Sequence, residues 1–261
     1  KVLDLIKKPF YLNEYLKCYK AEEIFNLKQF KEALWNNVIV KRDINRGKAF
    51  LELSNNRALT GQFYIVETNF KNSVKDLIKD GIIGNESKGY FIAHDIYEEW
   101  ALEKFIDIHF EKREGTISFF NSIGYNLPIR RSFRNWISDK LFLNQEDIKT
   151  FIEDCIENEE LDTFWKDEIL IAVLLSKYSD AFFEYFENEL LNDSNFNLLK
   201  RISFLLRLAC KKADKSFFEN IGLKKQLPSI FNNIFLEPKG YGWSSYIKFI
   251  FNNLDRIDYK K

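Results

Sequence analysis

Apolar residues recur with the period of an α-helix over most of the chain, and this pattern constrains the fold more than any other feature. Ile148, Phe151, Ile152 and Cys155 lie at i, i+3, i+4 and i+7, so a helix would gather them on one face. Comparable stripes follow one another from about residue 115 to the C-terminal end, separated by short polar turns. They repeat with no strict period, so residues 113–261 are predicted to form an irregular α-helical repeat-like domain.

The first part of the chain, residues 1–66, has a less regular helical pattern. Pro9 precedes apolar residues at helical spacing, and proline fits the first turn of a helix. The chain begins within a helical run, Val2–Ile6, and contains no Met. We therefore expect residues 1–66 to be a helical segment within a fragment of a longer protein.

A helix, a β-hairpin and a second helix are predicted over residues 67–112. Residues 72–73 can cap the first helix, because Asn and Ser accept hydrogen bonds from free backbone N–H groups. The two strands are predicted at Gly81–Gly84 and Tyr90–Ala93, on either side of a polar turn. His94 then begins the second helix. This layout is that of a small winged-helix domain, so the fold predicted for the whole chain is mainly α with one small hairpin.

Composition limits the partners and the compartment. Lys and Arg together number 39, as do Asp and Glu, so the formal net charge is zero. A dedicated nucleic-acid-binding protein usually carries a basic surface, so nucleic acid is not expected as a partner. No stretch reaches the about 18 apolar residues that cross a bilayer, so no membrane partner is expected. Cys18, Cys155 and Cys210 are far apart and odd in number, which predicts reduced thiols and a cytoplasmic protein.

The sequence offers no complete catalytic site. It contains no Gly-x-x-x-x-Gly-Lys-Ser/Thr phosphate loop, no Gly-x-Gly-x-x-Gly motif and no Cys-x-x-Cys pair. His94 and His109 are the only histidines, so a histidine-rich metal site is excluded. We therefore predict that the chain alone is not an enzyme, has no catalytic or metal-ligating residue and binds no cofactor. The arginine cluster at 130, 131 and 134 indicates either an ion-paired helix face or a contact for phosphate or an acidic partner.

His94 is the residue of greatest interest. It lies where a strand is predicted to end and a helix to begin, and the positive potential of a helix N-terminus can favour an anion there. The alternative is a hydrogen-bonded histidine that only orders the end of the hairpin. The residues alone leave both interpretations open.

Several stretches together resemble the STAND class of signalling NTPases, which includes the NACHT and NB-ARC groups. Residues 8–12, Lys-Pro-Phe-Tyr-Leu, resemble the proline motif that follows the nucleotide-binding core of that class. Residues 91–95, Phe-Ile-Ala-His-Asp, resemble its winged-helix "MHD" motif, with Ala93 in the place of Met. Further stretches are similar to the helical region of large bacterial STAND proteins, antiviral defence ATPases among them: residues 130–136, 165–168 and 206–211. They follow the order of the class: helical domain, winged helix, helical repeats.

The resemblance implies a regulatory, sensor-side fragment that couples nucleotide state to ligand or partner sensing, in bacterial antiviral defence among other settings. It implies that His94 contacts the β-phosphate of ADP, that Pro9 packs near the adenine, and that Asp95 orders the helix it begins. The phosphate loop would then lie before Lys1, in an ATPase parent protein that binds ADP or ATP with Mg²⁺. The implied partners are that nucleotide-binding domain, a protein trigger on the helical array, and further copies of the parent on activation.

Two other functions remain open from the residues. One is a standalone helical-repeat scaffold, with a winged helix used only for protein binding. The other, which the balanced charge makes the least favoured, is a DNA-binding regulator.

Overall fold

The structure, a computed structural model, describes residues 6–18, 26–143, 146–192, 195–213 and 236–257. Within these ranges the chain is mainly helical, as predicted, and its paired strands form two short antiparallel sheets. By compactness the chain divides into two units, residues 1–133 and 134–261. The domain limits predicted from the sequence stay predictions. No helix within the described ranges is long and apolar enough to cross a membrane.

Six helices and one hairpin make up the described part of the first unit, together with the start of a seventh helix. Their bounds are α1 Pro9–Cys18, α2 Leu27–Leu34, α3 Ile44–Thr60, α4 Lys71–Lys79, β1 Ile83–Glu86, β2 Gly89–Ile92, α5 Asp95–Glu111, α6 Thr116–Ile123 and α7 Leu127–Phe142. A π-helical turn, Trp35–Val40, continues α2. Residues 2–5 of the helical run predicted at the N-terminus lie outside the described ranges.

Side-chain caps explain where two of these helices begin. Asn26 accepts a hydrogen bond from the backbone N–H of Gln29, whose side chain accepts one in return from the Asn26 N–H. Asp43 accepts from the N–H of Asn45 at the start of α3. Gly61 ends α3 with φ of 67°, a left-handed conformation that glycine adopts without a Cβ clash. The chain between α2 and α4 is thus ordered by local sequence.

The hairpin is where it was predicted, but its boundaries differ. Gly81, two residues after the end of α4, has φ of 72° and belongs to the turn, so β1 begins two residues later than predicted. Glu86 pairs with Gly89, which leaves a two-residue loop in place of the longer turn. The predicted cap at residues 72–73 is wrong, because α4 already begins at Lys71 and the Ser73 hydroxyl donates instead to Asp43.

One apolar core joins the hairpin to the helices around it. α3 packs against α4 and α5, and the N–H and C=O groups of Ile65 pair with those of Tyr90 as a short third strand beside β2. The residues of this core are almost without exposure: Phe30, Leu34, Phe50, Leu53, Val74, Leu77, Ile82, Ile83, Ile92, Tyr97 and Ala101. Because members of the core come from both sides of His94, the junction between β2 and α5 has a fixed position.

The second unit continues as a succession of helices, as predicted. After the end of α7 come α8 Glu146–Glu157, α9 Thr163–Leu175, α10 Ser179–Tyr185, α11 Glu187–Asn192, α12 Asn197–Ala209, β3 Lys211–Ala213, β4 Leu236–Pro238, α13 Gly242–Asn252 and a 3₁₀ turn Leu254–Arg256. α9 is apolar on most of its surface and packs against α8, α10, α12 and α13. The pairing of β3 with β4 was not predicted, because three-residue strands carry too little alternation to be recognised.

Candidate functional site

His94 forms the N-cap of α5. Its backbone is extended, and Nδ1 accepts a hydrogen bond of 3.3 Å from the backbone N–H of Ile96. A ring nitrogen that accepts cannot carry a proton, so in the neutral ring the proton is on Nε2. Nε2 forms no hydrogen bond with the described residues, and it is not fully buried. Nε2 is therefore a hydrogen-bond donor open to solvent.

Of the two predicted site residues, His94 contacts the neighbour of the other, because Phe10 directly follows Pro9 in α1. The ring of Phe10, next to Pro9 in α1, stacks on the imidazole with a centroid distance of 3.9 Å and an interplanar angle of 26°. Pro9 itself is exposed, and His94 is half-buried. Phe10 also meets the edge of Tyr97, one turn further along α5, at 5.5 Å. The proline motif and the histidine motif thus share one face of the first unit.

A row of further ring contacts, which sequence reasoning missed, holds this arrangement together. Tyr11 lies 6.0 Å from Trp100, Trp100 lies 6.1 Å from Phe30, and Phe30 lies 5.9 Å from Tyr15. Rings in tilted and edge-to-face pairs add about 1 kcal/mol each beyond the area they bury. The available signal was the spacing of Tyr97 and Trp100 at i and i+3, which places both rings on one face of α5.

Arg57 of α3 joins the first turn of α5. Its Nη2 lies 3.4 Å from a carboxylate oxygen of Asp95, and its Nε lies 3.4 Å from Oε1 of Glu98. The side chain of Asp95 is 83% exposed, whereas Glu98 is buried. Burial raises the pKa of Glu98, and the charge of Arg57 only partly offsets this. Two carboxylates in the first turn stabilise the helix N-terminus and reduce the positive potential next to His94.

The other residues singled out in the sequence do not join this site. Arg134 forms two hydrogen bonds of 3.0 Å with the buried carboxylate of Glu168, which agrees with the ion-paired interpretation for this one arginine of the cluster. Cys155 and Cys210 are buried thiols, and burial raises the pKa of Cys210 to about 11. In the ranges that the structure describes, no group of His, Cys, Asp and Glu could hold a metal ion.

The chain matches neither a model of a known family nor a curated protein. The functional argument therefore rests on the residues and on their arrangement in the structure.

Proposed function

We propose that this chain is the regulatory, sensor-side part of a STAND-class signalling ATPase, in which His94 contacts the diphosphate of bound ADP. The observation that carries the proposal is the stacking of Phe10, which directly follows Pro9, on the ring of His94, whose Nε2 forms no hydrogen bond with a described residue. A nucleotide-binding domain that covers this face would receive a donor from His94 and an apolar contact from Pro9.

The face offers one hydrogen-bond donor, Nε2–H of His94, for a diphosphate. Nε2–H can donate to a phosphate oxygen while Nδ1 stays occupied by the backbone of α5, so the ring needs no reorientation to bind. Phe10 restricts the ring further by stacking on it. The carboxylates of Asp95 and Glu98 disfavour additional anionic contacts there. His94 is therefore proposed as a single hydrogen-bond contact, with the remaining charge of the nucleotide neutralised by the partner domain.

Such a contact would act as a switch. A ligand shifts a conformational equilibrium only by its differential affinity for the two states. If His94 touches ADP only when the domains are closed, ADP favours the closed state, and a trigger on the helical array favours the open one. Two observations support this layout: a helix, α4, directly precedes the hairpin, as expected for a winged helix, and helices continue after the hairpin.

The test measures retention of ADP by the full-length product of the reading frame that contains this chain. Purified wild-type protein should carry ADP, identified by chromatography after denaturation. His94→Ser keeps an oxygen that can cap α5 but removes the donor at the position of Nε2. We expect ADP release at least about tenfold faster, as for the loss of one hydrogen bond to a charged group.

His109→Ala is the matched control. His109 is the other histidine, it lies in the last turn of the same helix and it packs against Phe105, so its loss should leave ADP release unchanged. A full-length protein that carries no nucleotide, or a His94→Ser variant with the wild-type release rate, would rule out the proposed contact.

A helical scaffold for protein binding is the second candidate, favoured by exposed apolar side chains in the second unit. Phe204 and Leu208 of α12 are 44% and 53% exposed, and Ile247 and Phe251 of α13 are 50% and 68% exposed. Large exposed apolar residues in groups are typical of interaction surfaces. This function predicts a full-length protein without nucleotide that still binds a partner through α12 or α13.

A further inference from the structure

A cleft of about 290 Å³ lies in the first unit beside the first turns of α5. Its walls include Arg57 and Phe63 from α3 and the segment after it, Asp95, Glu98 and Glu99 from α5, and Arg131 from α7. Arg57 lies over the ring of Phe63, 5.1 Å from its centroid, and Phe91 stacks on the same ring at 5.6 Å. Five charged side chains make up most of the rest of these walls, so charge decides which ligand fits.

The carboxylates of this cleft have more acceptor capacity than the protein uses. Glu98 is only 9% exposed, yet neither of its carboxylate oxygens accepts a hydrogen bond from a described residue. Oε1 is fully buried. Oε2 is not fully buried, so it faces the open space of the cleft. Glu99, half-buried on the next position of the helix, forms no hydrogen bond or ion pair with described residues. The one salt-bridge partner of the buried Glu98 carboxylate among the described residues is Arg57 at 3.4 Å, and the carboxylate accepts no hydrogen bond from them, so a donor from outside would stabilise it.

The charge of the cleft selects the kind of donor. Three carboxylates face two guanidinium groups, and the charge of Arg57 is already divided between Asp95 and Glu98. Arg131 is exposed and forms no salt bridge with Glu98; its positive charge acts on Glu98 from a greater distance. The excess is negative, which disfavours phosphate and favours a cation.

We propose that this cleft binds the guanidinium group of an arginine side chain from a partner protein, with Glu98 as its principal acceptor and Glu99 as the second. A guanidinium group is planar and has five N–H donors, so it can bond a carboxylate through two parallel hydrogen bonds and still reach a second acceptor. The volume of the cleft admits one such side chain. This site is independent of the contact proposed for His94.

The test uses the full 261-residue chain and two small probes, N-acetyl-L-arginine methylamide and its neutral analogue N-acetyl-L-citrulline methylamide. Both are titrated at low ionic strength, and binding is followed by ¹H–¹⁵N chemical shifts. The arginine probe should shift signals of α5 and bind at least about tenfold more tightly than the citrulline probe, because only the arginine probe forms charge-assisted bonds.

Variants that remove negative charge and a variant that removes positive charge should change the affinity for the arginine probe in opposite directions, which identifies the acceptors. Glu98→Gln and Glu99→Gln should each weaken the arginine probe about tenfold or more, whereas Arg131→Gln should strengthen it by removing a competing positive charge. Glu67→Gln, an exposed carboxylate outside the cleft, should change nothing. Glu99→Gln keeps the test decisive if Glu98→Gln unfolds the chain. Equal binding of the two probes, wild-type affinity in both glutamine variants, or binding of inorganic phosphate at the cleft instead would overturn the proposal.

Discussion

His94 combines two roles because its two ring nitrogens face different surroundings. Nδ1 accepts from the backbone N–H of Ile96 and so orders the start of α5, while Nε2 remains available to a partner. Both interpretations left open by the sequence, an ordering residue and an anion contact, are therefore compatible with one geometry. The sequence predicts that His94 begins a helix. Which ring nitrogen accepts the backbone hydrogen bond, and which stays available, is seen only in the structure.

The capping role gives a prediction about stability. His94→Ala removes the side-chain cap at the N-terminus of α5 and leaves the N–H of Ile96 without its acceptor, so the free energy of unfolding should fall by about 1 kcal/mol. His94→Ser should recover most of this loss, because serine is a preferred N-cap residue. Urea unfolding of the 261-residue chain measures both variants. If alanine and serine destabilise the chain equally, the hydrogen bond to Ile96 contributes nothing.

At the scale of the elements, local patterns were predicted well and long-range contacts poorly. The hairpin and the start of α5 at Asp95 followed from the alternation of residues and from the turn between the strands. The exact strand ends did not, because they depend on the left-handed conformation of Gly81. The stacking of Phe10 on His94 joins residues far apart in sequence, and no spacing rule could have supplied it.

One buried arginine, Arg46, adds a polar link between α3 and the end of α4. Arg46 is 6% exposed and donates to the carbonyl oxygens of Ile39 and Val38, at the end of the π-helical turn, and to Asp80 at 2.6 Å. Burial by itself would raise the pKa of Asp80, but hydrogen bonds from Lys41 and Arg46 outweigh it and leave the pKa below its ordinary value. These bonds satisfy backbone groups that the turn leaves free.

Replacement of Arg46 by Met should therefore destabilise the first unit strongly. It removes three hydrogen bonds and leaves buried carbonyl oxygens unpaired, for an expected loss of about 3 kcal/mol in the free energy of unfolding. Arg42→Met is the matched control, because Arg42 is exposed and forms no hydrogen bond with the described residues. Chemical denaturation compares the two. Similar losses in both variants would show that the buried network is not what holds α3 and α4 together.

At the scale of the molecule, the class of fold was predictable and the functional surfaces were only partly so. The helical period of 3.6 residues recurs in many stretches of the chain, and this predicts a mainly α fold. A wrong prediction for one stretch would not alter the predicted class. The cleft beside α5 could not be foreseen, because α5, α7 and the segment after α3 line it together. Its charges are visible in the sequence, but their meeting at one place is not.

Charge balance over the whole chain predicts that the protein does not bind DNA, although a helix before a hairpin is the layout of many DNA readers. Lys71, Lys75 and Lys79 are exposed on α4, but Asp76 lies among them and Asp80 follows, so the face lacks a continuous basic stripe. In an electrophoretic mobility assay we expect no shift of duplex DNA at about 150 mM salt, where nonspecific binding needs several phosphate contacts. Asp76→Lys, which completes a basic face on α4, should introduce weak binding that disappears as salt is raised. Tight binding by the wild-type chain, with a steep dependence on salt, would mean that the local positive charge on α4 matters more than the zero net charge of the whole chain.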